Sequence, residues 1–492
     1  MNTSLNLLGV ALVVASVLLI GTYGLKISRT TSDFLVASRS VRPIWNASAI
    51  SGEYLSAGTF LGLSGLVLLE GARGFWFPIG YAAGYLLVLV FIAAPLRRSG
   101  SYTIPDFLQA RLNSLPVRRV TSVAVLVIGF LYIVPQLQGA GIALTVVAGA
   151  PEWVGGVVVT TVVTFAVASG GMRAMTFVQG FQYWLKLMAV LVPAVFIGVA
   201  LAGRADPFTL SEVFPADAGP AGFDAYESIS LMIALLLGTM GLPHVLVRFY
   251  TSPSGGSARR TTVIVIVMVS AFYACSSVLA LFSRVLAPDL ARPGLADTVA
   301  LVLPSRVFDG VTGQLLTALV VAGAFAAFMA TTAGLVVALA GVVSRDLLKG
   351  TVGSYRFSAL LCGLVPLAFS LVSAPAGLVS SVGVVFIVAA STLAPVLILG
   401  VWWRGLTAGG AIASMVGGGV SSVTALLLGA YLSEVGSPSP LLSQPAAWTI
   451  PLATILAVLV SRAWKRTDQG SPNQFFLRLH TPERRSVPPS AG

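Results

Sequence analysis

The sequence predicts an all-α protein that crosses a membrane many times. Of its 492 residues, 56% are hydrophobic and 9% are charged, whereas about 25% of the residues of a soluble protein are charged. Apolar runs of about 20 residues recur along the chain, and a helix of that length spans the roughly 30 Å hydrocarbon core of a bilayer. The alternating segments of about 10 residues that build a transmembrane β-barrel do not occur in it.

Thirteen apolar runs are long enough to cross the bilayer. The first, LNLLGVALVVASVLLIGTYGL, has no basic start and no A-x-A cleavage site, so we interpret it as a retained helix rather than a signal peptide. In chain order, the predicted spans 1 to 13 cover 5–25, 44–69, 74–96, 120–148, 152–169, 181–202, 227–250, 261–287, 311–344, 357–375, 378–403, 407–432 and 446–464.

Lysine and arginine predict the orientation. With the N-terminus outside, the inner loops and the tail hold 24 of the 29 Lys and Arg residues, Lys186 and Arg248 among them. Because cytoplasmic loops carry the excess of basic residues, we expect an external N-terminus, a cytoplasmic C-terminus and a place in the cytoplasmic membrane. The net charge of +12 then faces the lipid of the inner leaflet and indicates no nucleic-acid partner.

Span 2 carries a carboxylate within an apolar run. In SAISGEYLSAGTFLGLSGLVLL (48–69), Glu53 lies among four glycines. A charge at the centre of a membrane helix costs about 2.5–3.5 kcal/mol and usually faces the bundle interior or a wet cavity. Close helix packing explains the glycines alone, but not the carboxylate. Secondary transporters hold ions and substrates on interrupted helices at mid-membrane, so we predict a break near residues 52–58.

Span 7 has the same character. It contains GTMG at 238–241 and then Pro243, and proline interrupts the hydrogen-bond ladder of a helix. Spans 2 and 7 are five spans apart, and an odd offset inverts the second copy. Residues 44–202 (spans 2–6) and 227–403 (spans 7–11) are therefore predicted to form the 5+5 inverted repeat of LeuT-like transporters.

The remaining segments surround this repeat. Residues 1–43 hold the first span and a cytoplasmic loop, 203–226 form an external loop, and 404–466 hold spans 12 and 13. The polar, proline-bearing residues 467–492 predict a disordered cytoplasmic tail. That tail is too short for the soluble domain of a transporter-like sensor, the alternative class of function. With no Walker A motif and no catalytic constellation, we expect neither an enzyme nor a cofactor.

Six segments identify a resemblance to a known family. They are GEYLSAGTFLGLSGL (52–66), GSYTIPDFLQARL (100–112), YIVPQLQGAG (132–141), GGMRAMTFVQGFQ (170–182), GLPHVLVRF (241–249) and AGLVVALAGVVSRDL (333–347). In this order they resemble the sodium:solute symporters, and within them the cation/acetate branch. The resemblance covers nearly all of 1–465. It implies a LeuT-type fold with about thirteen spans and symport of a small organic anion, most simply acetate, propionate or pyruvate.

The resemblance also implies a cation site between spans 2 and 9. Carried over by position, backbone carbonyls come from Gly52, Leu55 and Ala327, and side-chain hydroxyls come from the positions of Ala330 and Thr331. Sodium-coupled members usually have serine at the first of these two positions, and Ala330 has no side-chain oxygen. Because Na⁺ is a hard cation that requires oxygen ligands, both Na⁺ and H⁺ stay open as the coupling ion.

Two further groups of candidate residues follow from the positions of the predicted breaks and, for Gln136, His244 and Arg248, from the same resemblance. Four are implied substrate contacts: Thr59, Phe60, Gln136 and Thr239. Three are implied coupling or gating residues: Glu53, His244 and Arg248, the last two at the cytoplasmic end of span 7. No lysine or arginine is expected in mid-span near the site, so helix amino ends, hydroxyls or the cation would meet a carboxylate. Proline and sugars, carried by other branches, remain alternative substrates.

Overall fold

The computed structural model describes residues 2–28, 30–203, 224–373, 377–463 and 472–482. Within these ranges the regular structure is entirely helical. Eleven helical segments of the described chain are long and apolar enough to cross a membrane. Two of them, Gly58–Arg98 with 41 residues and Glu152–Ala202 with 51, far exceed the roughly 20 residues that one crossing needs.

Each of these two long segments contains two crossings. The first is divided by a 3-10 turn at Gly71–Phe75, where Gly71 has a positive φ of 64°. The second is divided at Gly171, with φ 55° and ψ −153°. A Cβ on Gly171 would lie 2.6 Å from the ring of Phe34, so only glycine fits this bend. Counted with these two divisions, the described residues contain thirteen segments, which correspond to the thirteen predicted spans.

The helices of the spans have the following bounds: Thr3–Ile27 (span 1), Pro43–Tyr54 and Leu63–Glu70 (span 2), Trp76–Leu87 and Ala93–Arg98 (span 3), Leu115–Ala148 (span 4), Glu152–Ala202 (spans 5 and 6), Asp224–Thr239 and Pro243–Val247 (span 7), Gly255–Leu286 (span 8), Gly310–Asp346 (span 9), Val352–Val372 (span 10), Leu378–Thr392 and Ala394–Trp402 (span 11), Ala408–Glu434 (span 12) and Ala446–Ala463 (span 13). Shorter helices form at Thr31–Val36, Ile104–Leu112, Val299–Val307, Pro440–Ser443 and Pro472–His480.

Both predicted interruptions are present. Span 2 stops at Tyr54, passes through Leu55 in an extended conformation, and resumes as a π-helical turn at Gly58–Gly62. Span 7 stops at Thr239, and Pro243 begins the next short helix after an extended Leu242. The broken segments leave backbone amides and carbonyls without helical partners, which lipid cannot satisfy.

Span 9 forms the centre of the bundle. Every residue of its most apolar stretch is buried, and the helix packs against spans 1, 4, 6 and 10. Its run of alanine and glycine, as in AGAFAAFMATTAG (322–334), explains this position, because small side chains let helix backbones approach closely. Span 9 therefore lies against the break in span 2.

The structure corrects part of the expected disordered tail. Residues Pro472–His480 form a helix, with Leu479 fully buried and the ring of Phe475 6.1 Å from that of Phe107. Phe475, Phe476 and Leu479 lie on the face that packs against the protein, whereas Leu477 is exposed, so a polar average composition conceals an amphipathic helix. Residues 467–471 and 483–492 of the tail, and residues 204–223 of the predicted external loop, lie outside the described residues.

Candidate functional site

Lys186 of span 6 lies at the break in span 2. Its ammonium donates to the carbonyl oxygen of Leu55 at 2.9 Å and also to that of Gly52, and its side chain is fully buried. The expectation that Lys186 belongs to an inner loop, and that the site holds no lysine or arginine, is wrong. Span 6 begins directly after Gly171, not at residue 181, so Lys186 lies about 22 Å along the helix at 1.5 Å per residue.

Span 9 contacts the same break through Thr331. The Thr331 hydroxyl donates to the carbonyl oxygen of Glu53 at 2.7 Å. One position earlier, the carbonyl of Ala330 accepts a hydrogen bond from the side-chain amide of Gln179 at 2.9 Å. Ala327 is fully buried one turn away in span 9. The structure thus brings the positions carried over for a cation to one place, with the ammonium of Lys186 among them.

Glu53 and Arg248 form a buried ion pair. The Nε of Arg248 lies 3.0 Å from Oε2 of Glu53, and the two side chains are 0% and 1% exposed. Arg248 also donates to the hydroxyl of Thr176 at 2.9 Å and to the side-chain oxygen of Gln179. A Cβ on Gly334 would lie 2.4 Å from Oε2 of Glu53, so this glycine leaves room for the carboxylate. Buried charges require such pairing.

The side chain of Arg248 therefore lies in the buried interior, whereas the sequence predicted that Arg248 belongs to an inner loop. It begins the 3-10 turn Arg248–Thr251 after the short helix of span 7, and its side chain extends to the break in span 2. His244, also fully buried, packs against the ring of Tyr132 with 5.3 Å between centroids. Neither of its ring nitrogens has a hydrogen-bond partner among the described residues.

A cluster of aromatic side chains lies between the two breaks. This tyrosine cluster consists of Tyr54, Tyr81, Tyr85, Tyr132, Tyr273 and Phe386, from spans 2, 3, 4, 8 and 11. The ring of Tyr54 lies 4.7 Å from that of Tyr85, and the ring of Tyr81 stacks on that of Tyr273 at 6.0 Å. Phe386 contacts both Tyr81 and Tyr132. Five spans thus meet at one aromatic surface, and His244 of span 7 adds a sixth through its contact with Tyr132.

Three hydroxyls of this cluster are buried without a hydrogen-bond partner in the described part of the chain: those of Tyr81, Tyr85 and Tyr273. Leaving a hydroxyl unsatisfied in an apolar environment costs about 1–3 kcal/mol on mutational scales. Together with His244, these hydroxyls can donate to a small polar ligand. The sequence predictions did not include these hydroxyls. YAAGY (81–85) carried a signal for two of them, because its two tyrosines are four residues apart and face the same side of a helix.

The four predicted substrate contacts separate into two groups. Thr239 lies beside the tyrosine cluster, since its hydroxyl is 3.0 Å from that of Tyr54. Gln136 and Thr59 bond backbone of the break instead: the side-chain oxygen of Gln136 accepts from the amide of Ala57 at 2.8 Å, and Thr59 donates to the carbonyl of Ser56 at 3.0 Å.

Phe60, the fourth predicted contact, is buried and packs on Phe272, with 6.1 Å between ring centroids. Phe272 in turn packs against Tyr273 at 5.9 Å. Phe60 therefore extends the aromatic surface of the tyrosine cluster. Its role as a substrate contact, like that of Thr239, stays a prediction.

A cavity of about 590 Å³ approaches the cluster. Polar and charged residues line it, among them Glu70, Arg73 and Glu227, and Phe77 forms part of its wall. The ring of Phe77 lies 6.0 Å from that of Tyr81. In the predicted orientation this cavity is on the outer side, and Phe77 lies between it and the tyrosine cluster.

The family model for "SSF: Sodium:solute symporter family" matches residues 34–418. The chain belongs to the sodium:solute symporter family. This symporter is 29% identical over 98% of its length to the "Uncharacterized symporter YwcA" of Bacillus subtilis, covering 99% of that protein. It is also 29% identical to the "Monocarboxylic acid transporter" of Corynebacterium glutamicum, with 95% of this chain and 92% of that protein covered.

Solved structures show the fold of this symporter. A substrate-bound, outward-open Na⁺-coupled sialic acid symporter matches with a TM-score of 0.69 at 17% identity, covering 94% of this chain and 99% of its own. The all-helical LeuT-type fold with its inverted repeat is thereby confirmed. The proteins matched are symporters and transporters, not enzymes.

Proposed function

We propose that the chain is a secondary symporter that imports a short-chain monocarboxylate, such as acetate, propionate or pyruvate, by alternating access. A cation gradient, of Na⁺ or H⁺, drives the uptake across the cytoplasmic membrane. The resemblance to the Corynebacterium transporter over nearly the whole chain supports this substrate class. The family supports cation coupling.

The charge of the site is the observation that carries the proposal. The buried network at the two breaks holds two basic side chains, Lys186 and Arg248, and one acidic side chain, Glu53. Basic side chains outnumber acidic ones in this network, so it favours an anionic ligand over a neutral one. A neutral sugar or zwitterionic proline adds no net charge and leaves the excess in a low-dielectric interior, where it is costly.

The tyrosine cluster offers contacts for both the carboxylate and the alkyl chain of such a substrate. Its unpaired hydroxyls on Tyr81, Tyr85 and Tyr273 can donate to a carboxylate, and hydrogen bonds to a charged group contribute about 1.5–3 kcal/mol. The ring faces of the cluster and of Phe386 provide an apolar surface for a short alkyl chain. A small monocarboxylate has both parts.

Uptake of radiolabelled acetate, pyruvate, proline and glucose into proteoliposomes tests the proposal, with Na⁺ and pH gradients imposed separately. We expect uptake of the two monocarboxylates only. Tyr81→Phe and Tyr85→Phe keep the rings and remove the hydroxyls, so KM should rise about tenfold or more. Tyr355→Phe is the matched control, because its buried hydroxyl bonds the carbonyl of Val337, away from the cluster. Proline or glucose uptake without acetate uptake would refute the substrate class.

A further inference from the structure

We infer that the ammonium of Lys186, and not Na⁺, occupies the cation position between spans 2 and 9. The family implies Na⁺ at this place, but the residues present do not fit it. The two carbonyls that the break frees in span 2, those of Gly52 and Leu55, both accept hydrogen bonds from Lys186. These are the span 2 oxygens that a sodium ion would require.

An ammonium and a sodium ion exclude each other here. Both are monovalent cations that would lie within bonding distance of the same two carbonyl oxygens. Like charges about 4 Å apart repel by about 4 kcal/mol even at an effective dielectric of 20, and Lys186 is fully buried away from screening water. The lysine side chain is attached to span 6, so it competes at a high effective concentration.

Two of the span 9 oxygens expected at this position are missing or already engaged, and the hydroxyl of Thr331 donates elsewhere. Ala330 has no hydroxyl, and its carbonyl accepts from Gln179. The Thr331 hydroxyl directs its proton to the carbonyl of Glu53 at 2.7 Å. A hard cation needs several oxygen ligands, whereas an ammonium needs only three acceptors. The carbonyls of Gly52 and Leu55 supply two of these three acceptors.

The lysine also gives the break a structural partner. Carbonyls released from a helix within a membrane must be satisfied by protein, and Lys186 satisfies two of them from span 6. Glu53, next to Gly52 in the chain, supplies negative charge to the same network. The cation position is thereby filled by the protein itself, and its occupancy does not depend on external Na⁺.

Thermal unfolding of the purified full-length protein in lipid nanodiscs tests this inference. The midpoint is measured in NaCl and in choline chloride at equal ionic strength, without substrate. The parent should show no Na⁺-specific rise. Lys186→Ala combined with Ala330→Ser removes the ammonium and adds a hydroxyl, so it should gain a saturable rise with Na⁺ concentration, as ligand linkage requires. Lys349→Ala with Ala330→Ser is the matched control, because Lys349 is exposed; it should show no such rise.

A saturable Na⁺-dependent rise in the parent that Thr331→Ala abolishes would overturn the inference, because Na⁺ would then bind there with Lys186 in place. This comparison decides the matter even if the Lys186 variant fails to fold. The inference rests on the proposed function in one respect: the cation position bears on transport only if a cation gradient drives the uptake. The assay contains no substrate, so failure of the monocarboxylate assignment would leave its outcome unaffected.

Discussion

The guanidinium of Arg248 and the carboxylate of Glu53 lie 3.0 Å apart, although 195 residues separate them in the chain. Glu53 lies at the break in span 2, and Arg248 follows the break in span 7. Thr176 and Gln179 of span 6 hold the same guanidinium. The pair therefore ties the two interrupted helices to each other and to span 6, and any transport step that separates spans 2 and 7 must break it.

Removing the charge of Glu53 should destabilise the protein. Glu53→Gln keeps the shape but leaves Arg248 as a buried cation without its counter-ion, and breaking one half of a buried pair costs about 3–5 kcal/mol. We expect a lower thermal midpoint and little uptake. The double variant Glu53→Gln, Arg248→Gln removes both charges and should recover part of the midpoint.

Uptake per folded transporter, measured at several pH values with and without Na⁺, separates the roles of Glu53. Weaker Na⁺ activation in Glu53→Gln would indicate that the carboxylate attracts the driving cation. Loss of uptake driven by a pH gradient would indicate that it carries a proton. If Glu53→Gln alone matches the parent in both thermal midpoint and uptake, the ion pair of Glu53 and Arg248 is required neither for stability nor for transport.

Gln136 should stabilise the break in span 2, whereas Gln138 should not. Gln136→Leu removes the acceptor of the Ala57 amide, and an unsatisfied buried amide costs about 1–3 kcal/mol. Gln138 bonds Ser373 at the less buried end of span 10, so Gln138→Leu is a matched control in the same helix. We expect a lower thermal midpoint and slower uptake for the first variant alone. Equal effects of the two variants would mean that the bond to Ala57 does not support the break.

Local features of the sequence were sufficient to predict the breaks. Glu53 with its neighbouring glycines, and GTMG followed by Pro243, weaken a helix through their own backbone properties, so the structure shows both interruptions where they were predicted. Four of the five carried-over cation positions, together with Glu53 and Arg248, also meet at these breaks. For the breaks the signal lies within a few residues of the feature it predicts, whereas the cation positions come from the family resemblance.

The position of Lys186 and the tyrosine cluster could not be predicted in the same way. Lys186 follows aromatic and polar residues in GFQYW (180–184), a pattern typical of a helix end at the membrane surface. Its burial depends on the bend at Gly171 and on the carbonyls of another span, neither of which is local. Tyr81, Tyr85 and Tyr273 are apolar enough to pass as ordinary span residues, and only their packing shows that their hydroxyls lack partners.

The orientation remains a prediction with a direct test. The excess of Lys and Arg in the predicted inner loops requires an external N-terminus and a cytoplasmic C-terminus. Fusions of a periplasm-active reporter and a cytoplasm-active reporter to each terminus should give opposite patterns at the two ends, as an odd number of spans demands. The same pattern at both ends would show that the number of crossings is even.

Replacement of Gly52 by alanine should disrupt the site, whereas the same change at Gly180 should be tolerated. A Cβ on Gly52 would lie 2.1 Å from the backbone oxygen of Gln179, so spans 2 and 6 would have to move apart, at a cost of about 1–3 kcal/mol for overpacking. That movement would also draw Lys186 from the carbonyls of Gly52 and Leu55.

On Gly180, one residue beyond Gln179 in span 6, a Cβ would make ordinary contacts of 3.5 Å, and alanine favours the helix by about 1 kcal/mol. We expect Gly52→Ala to lower the thermal midpoint and abolish uptake, and Gly180→Ala to leave both unchanged or slightly raised. Normal uptake by Gly52→Ala would show that the close approach of spans 2 and 6 is not required for transport.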